Sequence, residues 1–316
     1  MVPGLRWVVA STTVAVLMIT QVRPTPAAAD AATTKKVFAR YVVDSSPVGT
    51  HPDEDPIGPW RLRLRGGRLI RLTDAMFTDP LSWPILTPHG SQVAYYRKSD
   101  GALVVRDLST GKVRAVPGRF SREGGLCKLS PGGRFLVVCG QPYQVVNTIT
   151  GQTHTLPSGY YGKLSFSPDN KYVLFHRATD PNLVSRDPGI TEVFSTETWT
   201  VVYRGTQVGA LRMGGSIVAY VDAQFSRPTY IRFWNLATGA SAGSAIKVPV
   251  GETPRALVWD QAGHLDVLTY LENKYRGGLV IRKSGYRWRR ANSGMRILDA
   301  FRIQATHWRP ADGGLA

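Results

Sequence analysis

Phe166-Ser167-Pro168-Asp169-Asn170-Lys171-Tyr172-Val173-Leu174-Phe175 reads as two short apolar strands joined by a tight turn. Proline pre-sets φ at the first corner of such a turn, and glycine accepts a positive φ at the second. The same turn returns as Thr87-Pro88-His89-Gly90 and Ser130-Pro131-Gly132-Gly133, and in weaker form as Met213-Gly214-Gly215 and Asp260-Gln261-Ala262-Gly263. A second turn alternates with it, as Gly66-Gly67, Thr110-Gly111, Thr150-Gly151, Glu197-Thr198, Thr238-Gly239 and Ser284-Gly285. From Gly67 to Gly285 five intervals cover 218 residues, about 44 each. Four strands repeated every 40 to 45 residues or so is the spacing of a β-propeller blade. Flanking stretches such as Gln92-Val93-Ala94-Tyr95-Tyr96 are rich in β-branched and aromatic residues. No stretch keeps a 3.6-residue apolar period, so almost no helix is expected.

Six turns of the second kind predict an all-β, six-bladed propeller of four-stranded blades, with seven blades as the alternative. Blade one lacks an obvious first strand. Residues 37–43 supply its second, 60–65 its third and 68–72 its fourth. A strand-like stretch, Arg296-Ile297-Leu298-Asp299-Ala300-Phe301, is left after blade six. It is expected to complete blade one and close the ring, which removes open sheet edges. The chain then divides into a signal segment (1–29), a linker (30–36), one propeller (37–303) and a C-terminal tail (304–316).

The Ser-Pro-Asp-Asn-Lys turn, with Phe166 before it and Tyr172 to Phe175 after it, resembles the repeat of TolB-like, WD-repeat-related propellers. The resemblance covers residues 37–303. The nearest echoes of the Trp-Asp that ends a third strand are Phe233-Trp234-Asn235-Leu236 and Val105-Arg106-Asp107-Leu108. The resemblance implies a fold that binds partners or carries a separate catalytic domain, and this chain leaves no room for such a domain.

Composition agrees with that fold. The 316 residues contain 43% hydrophobic residues, enough for a sizeable core, and 32 Gly and 21 Pro, which punctuate many short strands. Two cysteines exclude a disulfide-dense scaffold and a cysteine-rich zinc pattern. Arg6, the apolar run from Val8 to Ile19 and the small residues Ala27 and Ala29 form a signal-peptide pattern. The apolar run is shorter than the roughly 20 residues a membrane span requires. Export by the general secretory route, and no membrane span after cleavage, are therefore expected. The preference for Arg over Lys fits a GC-rich bacterial genome, as in actinobacteria. Cys127 and Cys139 flank the Pro131 turn on neighbouring strands, and an exported chain favours a disulfide between them.

The long connections 44–59, 178–189, 222–229 and 271–277 all fall on one face, with the inter-blade loops. Function sits on the loops of a rigid scaffold, so that face is the expected site. It offers Phe77, Arg119, Phe120, Arg122, Tyr160, Tyr161, Arg186, Phe225, Arg227, Tyr275 and Arg276. Aromatics interleaved with Arg suit anionic ligands with flat faces, through stacking and charge-assisted hydrogen bonds. A basic rim is expected from Arg61, Arg63 and Arg65, which alternate along one strand, together with Arg287, Arg289 and Arg290. With a net charge of +17 outside the cell, the expected partner is a protein or an anionic envelope polymer rather than nucleic acid.

Catalytic patterns are absent. Gly239-Ala240-Ser241-Ala242-Gly243 matches a nucleophile elbow but falls between two strands, where the elbow requires a strand and then a helix. The His residues are not at metal-ligand spacing, and Asp53, Glu54 and Asp55 lack the ligand spacing of a calcium loop. The reading is a monomeric, non-catalytic exported binding propeller without metal or cofactor. The alternatives are a lactonase- or lyase-type enzyme with its site in the central channel, or a structural scaffold in an envelope complex.

Overall fold

A computed structural model describes residues 36–43, 59–77, 83–120, 125–140, 142–156, 160–177, 189–222, 228–272, 283–303 and 308–310. The predicted signal segment and most of the linker lie outside these residues. Six antiparallel sheets form six blades. Blades two, three and four each have four consecutive strands: Ile85–Leu86, Gln92–Tyr96, Leu103–Asp107 and Val113–Ala115; Leu126–Leu129, Phe135–Val138, Gln144–Asn147 and Thr153–Thr155; Tyr160–Phe166, Tyr172–Arg177, Ile190–Ser195 and Val201–Gly205. Blade six has Glu252–Trp259, Leu265–Glu272, Lys283–Arg290 and Arg296–Phe301. In blade five, Ala210–Leu211, Ile217–Asp222 and Tyr230–Asn235 are followed by a broken outer strand. Ala240–Ser241 and Ile246–Lys247 both pair with Tyr230–Asn235. Helix among the described residues is confined to three 3₁₀ turns.

Both recurrent turns have a physical cause. At the first, the opening hydroxyl accepts the backbone N–H that restarts the chain, as Ser130 Oγ does from Phe135 (2.9 Å) and Ser167 Oγ from Tyr172 (3.0 Å). At the second, Asp107, Asn147 and Asn235 each accept N–H groups two and three residues ahead. The Asp107 and Asn235 that echo the family's Trp-Asp are therefore turn-capping groups. Apolar residues of facing sheets meet in six clusters, one for each pair of neighbouring blades, and this burial holds the ring together.

Two sequence expectations are corrected. Ser284-Gly285 is not the third-to-fourth turn of blade six. Gly285 pairs with Leu271 inside the third strand, and the turn comes at Ala291–Ser293, where Gly294 takes φ 65°. Arg296–Phe301 is consequently the outer strand of blade six, and the ring is closed by Trp308–Pro310, beyond the expected limit at 303. Trp308–Pro310 is the innermost strand of blade one and pairs only with Tyr41–Val43. Beside Ala39, the Thr87–Gly90 turn of blade two packs instead. A Cβ on Gly90 would stand 2.0 Å from the Ala39 carbonyl oxygen. The seam is tied further by Arg40 Nε to Asp299 Oδ2 of blade six (2.7 Å) and by Val37 N–H to Ser109 Oγ of blade two (2.8 Å).

Candidate functional site

A cavity of about 260 Å³ lies among the innermost strands on the ring axis. Each blade's first strand starts at the long-loop face and runs toward the tight-turn face, so these strands form the walls of a channel. Blade three contributes Lys128; blade four Lys163, Leu164 and Ser165; blade five Gly209 and Ala210; and blade six Pro254 to Leu257. The charged groups among the lining residues are Lys128, Lys163 and Arg255, all cations. Ser165 Oγ accepts the Leu211 N–H (3.0 Å), which leaves its O–H as a further donor.

Strand irregularities place these groups. Blades three, four and six each carry a register shift in the innermost strand, between Leu126 and Lys128, between Tyr160 and Leu164, and between Pro254 and Ala256. An extra residue in one strand of a pair is left off the ladder and its side chain is re-aimed. Arg255 is such a residue, and its side chain is exposed. Burial raises the Tyr286 phenol's pKa, and the nearby positive charge of Arg255 opposes that shift.

Toward the tight-turn face the channel narrows to about 20 Å³. Pro88, Leu129, Pro131, Phe166, Val258 and Trp259 wall this neck, while Lys128, Ser165 and Leu257 line both parts. Lys128 is only 7% exposed and lines both parts, whereas the exposed Lys163 and Arg255 line the wide part alone. The site residues expected from the sequence do not include these three cations.

The residues expected on the long-loop face fall in different settings. Phe77 is half-buried against the core between blades one and two, with Lys98 Nζ 5.3 Å from its ring centroid. Phe120 packs against the next core, and Arg119 beside it is exposed. Tyr160 and Tyr161 lie in the first strand of blade four. Arg122, Arg186, Phe225, Arg227, Tyr275, Arg276 and the Asp53, Glu54, Asp55 cluster lie outside the described residues. Of the described ones, Phe77, Arg119 and Phe120 are not among the residues that line the channel.

The basic rim is corrected. Arg289 is buried and grips the buried Glu252 carboxylate with two N–H groups, Nε to Oε2 at 2.7 Å; Arg287 donates to Glu252 Oε1 (2.7 Å). Arg290 pairs with Asp266 (3.0 Å) and Asp260 (3.2 Å). Arg61, Arg63 and Arg65 are half-buried, and Arg65 lies 5.2 Å from the Phe38 ring centroid. The alternation of Leu and Arg is real, but the Arg side shares its face with Tyr41 and Val43, which pack against blade six. The arginines therefore stand at a blade interface instead of a free outer surface.

Cys127 and Cys139 are joined in a disulfide across the hairpin. Ser241 of the elbow-like motif is exposed in the broken outer strand of blade five, its hydroxyl directed to the Gly243 carbonyl (3.3 Å). Among the described residues no three His, Cys, Asp or Glu side chains gather into a metal-binding group, and no helix is long and apolar enough to cross a membrane.

No family model and no curated protein sequence matches the chain. Solved structures do. TolB from Acinetobacter baumannii superposes with a TM-score of 0.50 at 15% identity, over 87% of this chain and 66% of that one. A putative TolB from Agrobacterium tumefaciens gives 0.43 at 11% identity over 88% and 91% of the two chains. An oligogalacturonate lyase in complex with manganese gives 0.42 at 15% identity over 83% and 73%. At these identities the likeness is one of fold alone: the chain is a six-bladed β-propeller, an architecture similar to that of TolB.

Proposed function

We propose that this protein is a non-catalytic, exported propeller that binds an anionic partner of the cell envelope at its long-loop face. The observation that carries the reading is the axial channel, whose described charged lining is three cations with no carboxylate. A metal-dependent enzyme of the channel type needs carboxylates or imidazoles there, and Lys128, Lys163 and Arg255 do not supply that chemistry. Cationic side chains in a cleft with low-dielectric walls focus the field and raise the local anion concentration. Export is supported by the N-terminal sequence pattern and by the disulfide, which persists in oxidising compartments.

The test is binding of the purified mature chain to isolated cell walls, with and without their anionic polymers, over a salt series. The reading expects binding that weakens as salt rises, because screening acts on exposed charge pairs, and that disappears when the polymers are removed. Binding that ignores both treatments overturns it in favour of a protein partner.

A further inference from the structure

We infer that the central channel is a blind socket for a terminal phosphomonoester, the phosphorylated end of a chain or a small molecule, and not a groove for the middle of a polymer. This deepens the proposed envelope-anion reading and rests on it.

Shape supports an end group. The wide part holds about 260 Å³, but the neck beneath it holds about 20 Å³. One water needs roughly 10–15 Å³ of such space, so the neck admits about one water and no polymer strand. Apart from Lys128, Ser165 and Leu257, which it shares with the wide part, its walls are the proline corners Pro88 and Pro131 and the side chains of Leu129, Phe166, Val258 and Trp259, which offer no charge. The wide part lies below the volume of drug-sized sites, about 300–1,000 Å³, which fits one small polar head.

Charge supports phosphate. A phosphomonoester carries about −1.5 to −2 at neutral pH and three strong acceptor oxygens. The channel offers exposed Lys163 and Arg255 and the Ser165 hydroxyl, all donors, beside the further cation Lys128. They are graded in depth, with buried Lys128 at the neck and exposed Lys163 and Arg255 toward the long-loop end. Arg255 provides a planar fork that can hold two oxygens, while the lysines act as point charges. A phosphodiester carries one negative charge and has two of its oxygens blocked by carbon, so it engages fewer donors and must fold both arms out of one mouth.

The experiment is isothermal titration of the full mature chain with glycerol 3-phosphate, a monoester, and with glycerophosphoglycerol, a diester. Wild type, Lys163→Ala, Arg255→Ala and Lys128→Met are compared, with Lys112→Ala, an exposed cation in the turn between the third and fourth strands of blade two, as a control outside the channel. The expected result is monoester binding that is stronger than diester binding and weakens with salt. Lys163→Ala and Arg255→Ala each lower affinity about tenfold or more, the scale of a lost hydrogen bond to a charged group, and Lys112→Ala leaves it unchanged. Lys163 and Arg255 are exposed, so the test stands even if Lys128→Met fails to fold. Equal affinity for the two esters, or monoester affinity unaffected by either exposed substitution, overturns the socket. If cell-wall binding persists in that case, only the socket falls. If neither small anion nor cell wall is bound, the envelope reading falls with it.

Discussion

Glu252 begins the innermost strand of blade six, and its side chain is 2% exposed. It accepts hydrogen bonds from Arg289 Nε (2.7 Å) and Nη2, from Arg287 Nη1 (2.7 Å) and from Thr269 Oγ1 (2.6 Å). Arg289 also donates to the Met295 carbonyl (2.6 Å), so one guanidinium joins the inner strand to the last turn of the blade. Glu252→Gln keeps the shape but removes the negative charge and directs amide hydrogens at a group that only donates. Breaking a buried pair by removing one partner costs about 3–5 kcal/mol. The propeller unit spans Lys35–Ala316. At about 2.1 cal/mol/K per residue, a unit of this size has an unfolding entropy of about 0.6 kcal/mol/K. The expected loss in melting temperature is thus about 5–8 °C, measured by circular dichroism and tryptophan fluorescence at pH 7. The pH dependence is a second check. Burial opposes the charge on Glu252, but the bonds from Arg289, Thr269 and Arg287 outweigh it and hold the carboxyl below its ordinary range. The folded pKa is depressed, so the stabilisation is fully present above the unfolded value of about 4.3 and disappears as pH falls through the folded one. The gap between wild type and Glu252→Gln must therefore narrow on acidification below about pH 4. A variant melting within about 1 °C of wild type at pH 7, or a gap independent of pH, refutes the reasoning.

Other perturbations give equally definite expectations. Burial lowers the pKa of His89, against the opposing pull of Asp266 (3.9 Å), and Arg65, Asp260 and Arg290 also act on it. The folded state therefore prefers the neutral ring, and stability falls as pH drops through the ordinary His range near 6.5. His89→Asn tolerates the φ of 70° and should flatten the melting profile between about pH 7.5 and 5.5; parallel profiles would contradict this. Gly90→Ala should lower the melting temperature sharply, because its Cβ meets the Ala39 backbone and not a movable side chain. Truncation after Ile303 should destabilise the ring by removing the strand paired with Tyr41–Val43, and unchanged melting would contradict closure at Trp308–Pro310. Cys127→Ser with Cys139→Ser should cost about 3 kcal/mol for a loop of this length, read by urea denaturation.

The repeat was legible because both turns need specific chemistry. The Pro corner, the capping Ser or Asp and the left-handed Gly are written into the chain at fixed offsets. Blade six was misread because Ser284-Gly285 imitates such a turn, while the real one at Ala291–Ser293 lacks the Thr-Gly pair of its counterparts. That slip of one strand also moved the closing strand. The channel cations had a faint signal. Lys128 stands two residues before Ser130, and Lys163 and Ser165 stand four and two before Ser167. Arg255 breaks that spacing because an extra residue shifts its strand.

By itself, the sequence determined the fold class, the repeat and the turns of the first five blades, since these depend on interactions between residues near one another in the chain. Only the tertiary structure decided that Arg61, Arg63 and Arg65 lie at a blade interface and that Arg289 is buried on Glu252. Only the closed ring brings Lys128, Lys163 and Arg255 to one cavity. Alternation along a strand names two faces but does not say which neighbour covers either, and a channel on the axis exists only once distant blades meet around it.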